Sequence, residues 1–126
     1  MRNVVELRVP GRAERPRIGL AATWAARAIG LLATARLDDP CGLWITPCRS
    51  IHTCWMRYAI DVVFVDASGI VTKVVPRLKP WRMASCRRAR STLELRAGLA
   101  GELGIVPGVG LSAGRWPALT PAARSR

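Results

Sequence analysis

This 126-residue sequence contains no long apolar run, few acidic residues and few aromatic residues other than tryptophan. Nowhere do about 18 consecutive apolar residues occur, so we expect no transmembrane helix and a cytoplasmic protein. One Phe and one Tyr accompany five Trp, and the sequence lacks the aromatic-basic ladder that stacks single-stranded bases. Half of the residues are hydrophobic, which excludes a disordered chain and suffices for one buried core.

Positive charge dominates the composition, because twenty basic residues stand against eight acidic ones and give a formal charge of +12. Eighteen of the basic residues are Arg and most are scattered, which is typical of a G+C-rich coding sequence. The tight cluster Arg87, Arg88 and Arg90, with Arg82 before it, is the candidate anion-binding segment. Nucleic acid is therefore a possible but less favoured partner of this segment.

The hydrophobic pattern predicts an α+β, mostly β domain: a compact, barrel-like or sandwich-like β-sheet core with two short helices. Residues 1–114 are expected to form this single domain, and the Pro/Ala/Arg-rich residues 115–126 are expected to be a disordered tail. The predicted strands are 3–9, 42–46, 50–57, 60–65, 70–75, 93–95 and a last short one at Leu111, and the predicted helices are 22–32 and 97–103. Residues 76–90 are expected to be a basic loop.

A β-hairpin is the strongest local prediction, since Asp66-Ala67-Ser68-Gly69 separates two apolar runs. The first run, Val62 to Val65, is apolar without alternation, which indicates a strand covered on both faces.

The most unusual local chemistry lies between Cys41 and Asp61. Its candidate binding residues are Cys48, His52, Met56, Arg57 and Asp61. If residues 50–57 are extended, His52, Cys54 and Met56 share one face and offer soft metal ligands. The chain has no Cys-x-x-Cys pair, however, and buried Cys and Met are ordinary core residues, so we expect no metal and no cofactor.

Catalysis is the alternative interpretation of the same segment. Cys48 could act as a nucleophile with His52, four residues later, as its base, and Asp61 could orient the imidazole. No second carboxylate lies close by to form an acid/base couple, and an ion pair between Arg57 and Asp61 is the simpler expectation. Cys41, Cys48, Cys54 and Cys86 are expected to be reduced thiols, because no export signal is visible.

The run from Ile51 to Asp66, followed by Gly69 and Val71, resembles the central signature of the domain-of-unknown-function 192 family. Its core is His-Thr-x-x-Met-Arg-x-x-x-Asp, from His52 to Asp61. Flanking segments at 22–32, 93–98 and 104–105 agree in order and spacing, and the resemblance covers about residues 4–112. It implies a compact, mostly β domain with short helices and brings no activity, cofactor or catalytic residue. Two positions depart from the family pattern: Ala59 stands where Pro is usual, and Val109 where an acidic residue is usual.

Three functions remain open. The favoured one is a non-enzymatic binding or accessory module with a groove near His52, Arg57 and Asp61 for a protein, peptide or small ligand. The second is a small hydrolase-like enzyme that uses His52 with Cys48 or Asp61. The third is an anion or nucleic-acid binder that uses the segment Arg82–Arg90.

Overall fold

A computed structural model describes residues 4–21, 41–54 and 56–114 of the chain. The elements in these ranges are mostly strands: β1 (Val4–Arg8), β2 (Arg17–Ala21), β3 (Gly42–Ile45), β4 (Ser50–His52), β5 (Ile60–Val65), β6 (Val71–Leu78), β7 (Met83–Ser85), β8 (Ser91–Arg96), α1 (Leu99–Glu102) and β9 (Ser112–Gly114). No helix in the described ranges is long and apolar enough to cross a membrane.

Seven strands form one mixed sheet in the order β6-β5-β8-β3-β2-β1-β9, and β4 and β7 form a separate two-stranded sheet. Within the large sheet only β2 and β3 pair in parallel. A single bridge between Ile70 and Gly110 joins the start of β6 to the segment before β9. Because this bridge does not extend into a ladder, the sheet stays open and the expected closed-barrel alternative does not form.

The β5–β6 hairpin has the expected turn. One carboxylate oxygen of Asp66, Oδ1, accepts hydrogen bonds from the backbone N–H groups of Ser68 (2.8 Å) and Ile70 (3.0 Å). Gly69 follows with a φ of +88°, a left-handed conformation that costs glycine little. The hairpin prediction is confirmed.

Strand β5 is buried on both faces, as its unbroken apolar run predicts. Val63 and Val65 face one core cluster, which also contains Leu99 and Ala100 of α1. Ile60, Val62 and Phe64 face a second cluster on the opposite side of the sheet. Ile51 of β4 packs in that second cluster, so the two-stranded sheet covers the face of β5 opposite to α1.

Three expectations about the elements need correction. The extended segment 50–57 ends at His52, because the carbonyl of Thr53 accepts the N–H of Met56 and turns the chain. The basic segment 76–90 is not one loop, since β6 continues to Leu78 and β7 lies inside it. The helix expected over 97–103 is shorter, at Leu99–Glu102, and the one expected over 22–32 lies outside the described residues, so two helices are not established.

Gly42 provides a test of this packing. It lies in β3 opposite Leu95, and a Cβ atom there would collide with the backbone oxygen of Glu94 and approach the Leu95 side chain. The backbone of β8 cannot move away without disturbing β5. We therefore expect Gly42→Ala to lower the free energy of unfolding by about 2–3 kcal/mol, measured by urea denaturation.

Gly101→Ala is the matched control, because a Cβ at this exposed position in α1 meets nothing within 4 Å. We expect it to be neutral or to stabilise by up to about 1 kcal/mol, since Ala favours helix. Equal unfolding free energies for the two variants would contradict the close approach of β3 to β8.

Candidate functional site

The carboxylate of Asp61, at the start of β5, is 1% exposed. Its Oδ1 accepts the backbone N–H of Arg77 at 2.9 Å, and its Oδ2 accepts those of Gly98 at 3.0 Å and Ala100 at 2.9 Å. A buried carboxylate needs such donors, because removing its charge from water is costly unless it is hydrogen-bonded. Asp61 thereby ties β5 to β6 and to the first residues of α1.

The contact with α1 has a local cause. Gly98, the residue before the helix, has a φ of +92° and carries no side chain that could cap the free N–H groups. The Asp61 carboxylate caps these N–H groups instead, and its negative charge is attracted to the positive end of the helix. Because both oxygens are used in this way, the expected ion pair with the exposed Arg57 does not form. Asp61 also cannot line an open groove.

Thr53 has a comparable role on the other side of the sheet. Its side chain is fully buried, and its hydroxyl donates to the carbonyl of Lys79 at 2.6 Å and accepts the N–H of Arg82 at 2.9 Å. Its backbone carbonyl accepts the N–H of Trp81 at 3.1 Å. The turn between β6 and β7 is therefore held by one threonine.

The other signature residues divide between core and surface. Met56 is buried in the second core cluster. His52 is partly exposed and pairs with Met83 across the two-stranded sheet, whereas Arg57 is exposed. Because β4 ends at His52, the expected common face of His52, Cys54 and Met56 is wrong.

A groove of about 500 Å³ lies at the other end of the two-stranded sheet. The described residues that line it are Pro47, Cys48, Arg49, Ala89 and Arg90. The backbone brings them together, since the N–H of Cys48 donates to the carbonyl of Arg90 at 2.9 Å. Cys48, an expected binding residue, and Arg90, an expected anion-binding residue, thus line the same groove.

Arg49, which no sequence motif marks, also lines this groove. Its carbonyl accepts the N–H of Cys86, and its guanidinium Nη1 lies 3.5 Å from the carbonyl of Arg87. Thirty-eight residues separate Arg49 from Arg87, so only the pairing of β4 with β7 brings it to the arginine cluster. The pairing of β4 with β7 cannot be recognised from the local sequence around Arg49.

The expected anion-binding residues fall into two places. Arg87, Arg88 and Arg90 follow β7 and are exposed near the groove, whereas Arg82 precedes β7 and is exposed beside Thr53. The sequence from 67 to 93 contains seven basic residues and no Asp or Glu. Both places therefore carry positive charge without a neighbouring carboxylate in the same segment.

None of the four cysteines forms a disulfide bond, and each is partly exposed. The thiol of Cys48 donates to the carbonyl of Ser50 at 3.3 Å, and that of Cys86 lies 3.3 Å from the hydroxyl of Thr72. In the part of the chain that the structure describes, no three His, Cys, Asp or Glu side chains gather in a metal-binding cluster.

These observations define a small, mostly β protein in which an open sheet carries a two-stranded sheet and an arginine-lined groove. The chain belongs to the domain-of-unknown-function 192 family, described as "Uncharacterized ACR", which it matches over residues 5–113. Membership agrees with the signature at His52–Asp61. No curated protein matches the chain.

Two solved structures share the fold. One is a protein of unknown function from Novosphingobium aromaticivorans DSM 12444, with a TM-score of 0.72, 25% identity, and coverage of 86% of this chain and 84% of that one. The other is a proposed transcription regulator from Sinorhizobium meliloti 1021, with a TM-score of 0.77, 20% identity, and coverage of 89% and 95%.

The structural role of Asp61 can be tested with Asp61→Asn. The amide keeps the shape but replaces one acceptor oxygen with a donor, so at least one buried backbone N–H loses its partner. We expect the free energy of unfolding, measured in urea at neutral pH, to fall by about 2–3 kcal/mol.

Asp66→Asn removes the same charge and is the matched control. Both of its hydrogen bonds use Oδ1, which the asparagine carbonyl can replace. We expect a change below about 0.5 kcal/mol. If Asp61→Asn were as mild as this control, the three backbone contacts of Asp61 would not stabilise the fold.

Proposed function

We propose that this protein is a non-catalytic binding module whose ligand is anionic and binds in the groove between Arg49 and Arg90. The observation that carries the proposal is that these two arginines line one concave site of about 500 Å³. Arginine presents several donors in a fixed plane, which suits phosphate and carboxylate oxygens. Arg87 and Arg88 extend the positive surface beside the groove.

The distribution of charge supports an anionic ligand more strongly than the overall composition does. Surface arginines are commonly balanced by nearby carboxylates, but none of the described residues that line the groove is acidic. Clefts lined by charge of one sign concentrate the field and attract ligands of opposite sign. The groove therefore favours anions over neutral or cationic ligands.

The same geometry favours binding over catalysis. The enzyme alternative requires Asp61 to orient His52, but Asp61 would have to give up hydrogen bonds to backbone N–H groups. Of the expected catalytic groups, the groove lining among the described residues includes only Cys48. A thiol without a base or an orienting carboxylate beside it lacks the arrangement that activates a nucleophile.

The groove lies apart from the site expected at His52, Arg57 and Asp61. The groove contains Cys48, an expected binding residue, and Arg90, an expected anion-binding residue, together with Arg49. A single site at this groove therefore combines the binding-module and anion-binder hypotheses. The proposed regulatory role of the Sinorhizobium protein adds nucleic acid to the anions worth testing.

The double variant Arg49→Ala/Arg90→Ala tests the proposal. The probe is a fluorescein-labelled abasic 12-mer, a phosphodiester chain without bases, whose binding is followed by fluorescence anisotropy at several salt concentrations. We expect about tenfold weaker binding. The negative slope of log affinity against log salt should become shallower by about 1.4, because two phosphate contacts are lost.

Arg12→Ala/Arg15→Ala is the matched control, since it also removes two exposed arginines. These residues lie in the loop before β2, which runs parallel to β3, and the groove lies beyond the opposite end of β3. We expect affinity to change less than twofold. Equal losses in the two double variants would contradict a localised site and indicate only a general effect of net charge.

A further inference from the structure

Trp81 is an exposed aromatic residue in an unusual conformation. It is 54% exposed and has a φ of +64°, a region that bulky residues rarely adopt. Lys79 and Arg82 on either side are exposed, and Met83 is 72% exposed. The turn thus presents a large ring within a positively charged surface.

The buried contacts of Thr53 maintain this conformation. The hydrogen bonds of Thr53 to Lys79, Trp81 and Arg82 fix the backbone on both sides of the indole. Left-handed backbone at a non-glycine residue persists only where the surroundings impose it, and such positions cluster at functional sites.

The two-stranded sheet connects Trp81 with the groove. Arg49 and Cys86 lie at one end of the β4–β7 pair, and His52 and Met83 lie at the other. Three residues of extended chain separate the ends, or roughly 10 Å. This distance along the small sheet is within the span of one extended anionic polymer of a few units.

We propose that Trp81 is a base-stacking platform and that the anionic ligand of the groove is a single-stranded nucleic acid. This inference rests on the proposed function. A base stacks on the indole, and the phosphates pass Lys79 and Arg82 toward Arg49 and Arg90. One platform replaces the aromatic-basic ladder that the sequence lacks.

The shape of the surface favours nucleic acid over an acidic peptide. A peptide that binds through its side chains needs apolar pockets for its anchors, whereas Trp81 and Met83 offer exposed area. An exposed aromatic residue flanked by Lys79 and Arg82 matches the alternation of planar bases and phosphates in a single strand. The basic residues lie at both ends of the small sheet, as a repeating polyanion requires.

The test compares a labelled oligothymidylate 12-mer with the labelled abasic 12-mer, which has the same backbone charge. We expect the intact protein to bind the oligothymidylate about tenfold more tightly. Trp81→Ala should abolish this preference without weakening abasic binding, and Trp81→Phe should retain most of it because phenylalanine also stacks. Circular dichroism of each variant verifies folding.

Val106→Ala is the matched control, because Val106 is also exposed, at 55%, but follows α1. It should leave the preference unchanged. The stacking platform is refuted by any of three results: no preference in the intact protein, a preference that survives Trp81→Ala, or equally tight binding of a 12-residue polyglutamate. If abasic binding does not depend on Arg49 and Arg90, the proposed groove itself fails instead.

Discussion

A buried carboxylate that accepts three backbone hydrogen bonds is the constraint on which much of this structure depends. Asp61 stands at the point where β5 begins, and its two oxygens reach β6 and the start of α1. The helix has only four residues and begins after a glycine, so it has little capacity to stabilise itself. Its position over one face of the sheet therefore depends on the Asp61 side chain, 37 residues distant from Gly98, together with the core packing of Leu99 and Ala100.

Thr53 complements Asp61 on the opposite side of the central sheet. The signature from His52 to Asp61 contains both residues together with the core residue Met56, so much of it specifies a scaffold. This explains why a distinctive motif need not indicate a reaction. In the proposed function, the ligand contacts exposed side chains that this scaffold positions, above all Arg49, Arg90 and Trp81, which are outside the signature.

Folding also determines where the charges behind the net value of +12 lie on the protein. Of the six acidic residues in the described ranges, Asp61 and Glu94 are buried, and their charges do not lie on the exposed surface. The arginines beside the groove are exposed and lack acidic residues in their own segment. A composition that is ordinary for an arginine-rich chain thus yields a localised positive surface, because burial separates the two signs of charge.

The sequence by itself determined the mostly β character, the β5–β6 hairpin and the burial of Val62–Val65, because these depend on local turn residues and on unbroken apolar runs. It also determined family membership through the motif ending at Asp61. Only the tertiary structure decided which role Asp61 has, where Trp81 lies, and that Arg49 and Arg90 line one groove. Those outcomes depend on pairing between strands that are far apart in the chain, and no local pattern of residues encodes such pairing.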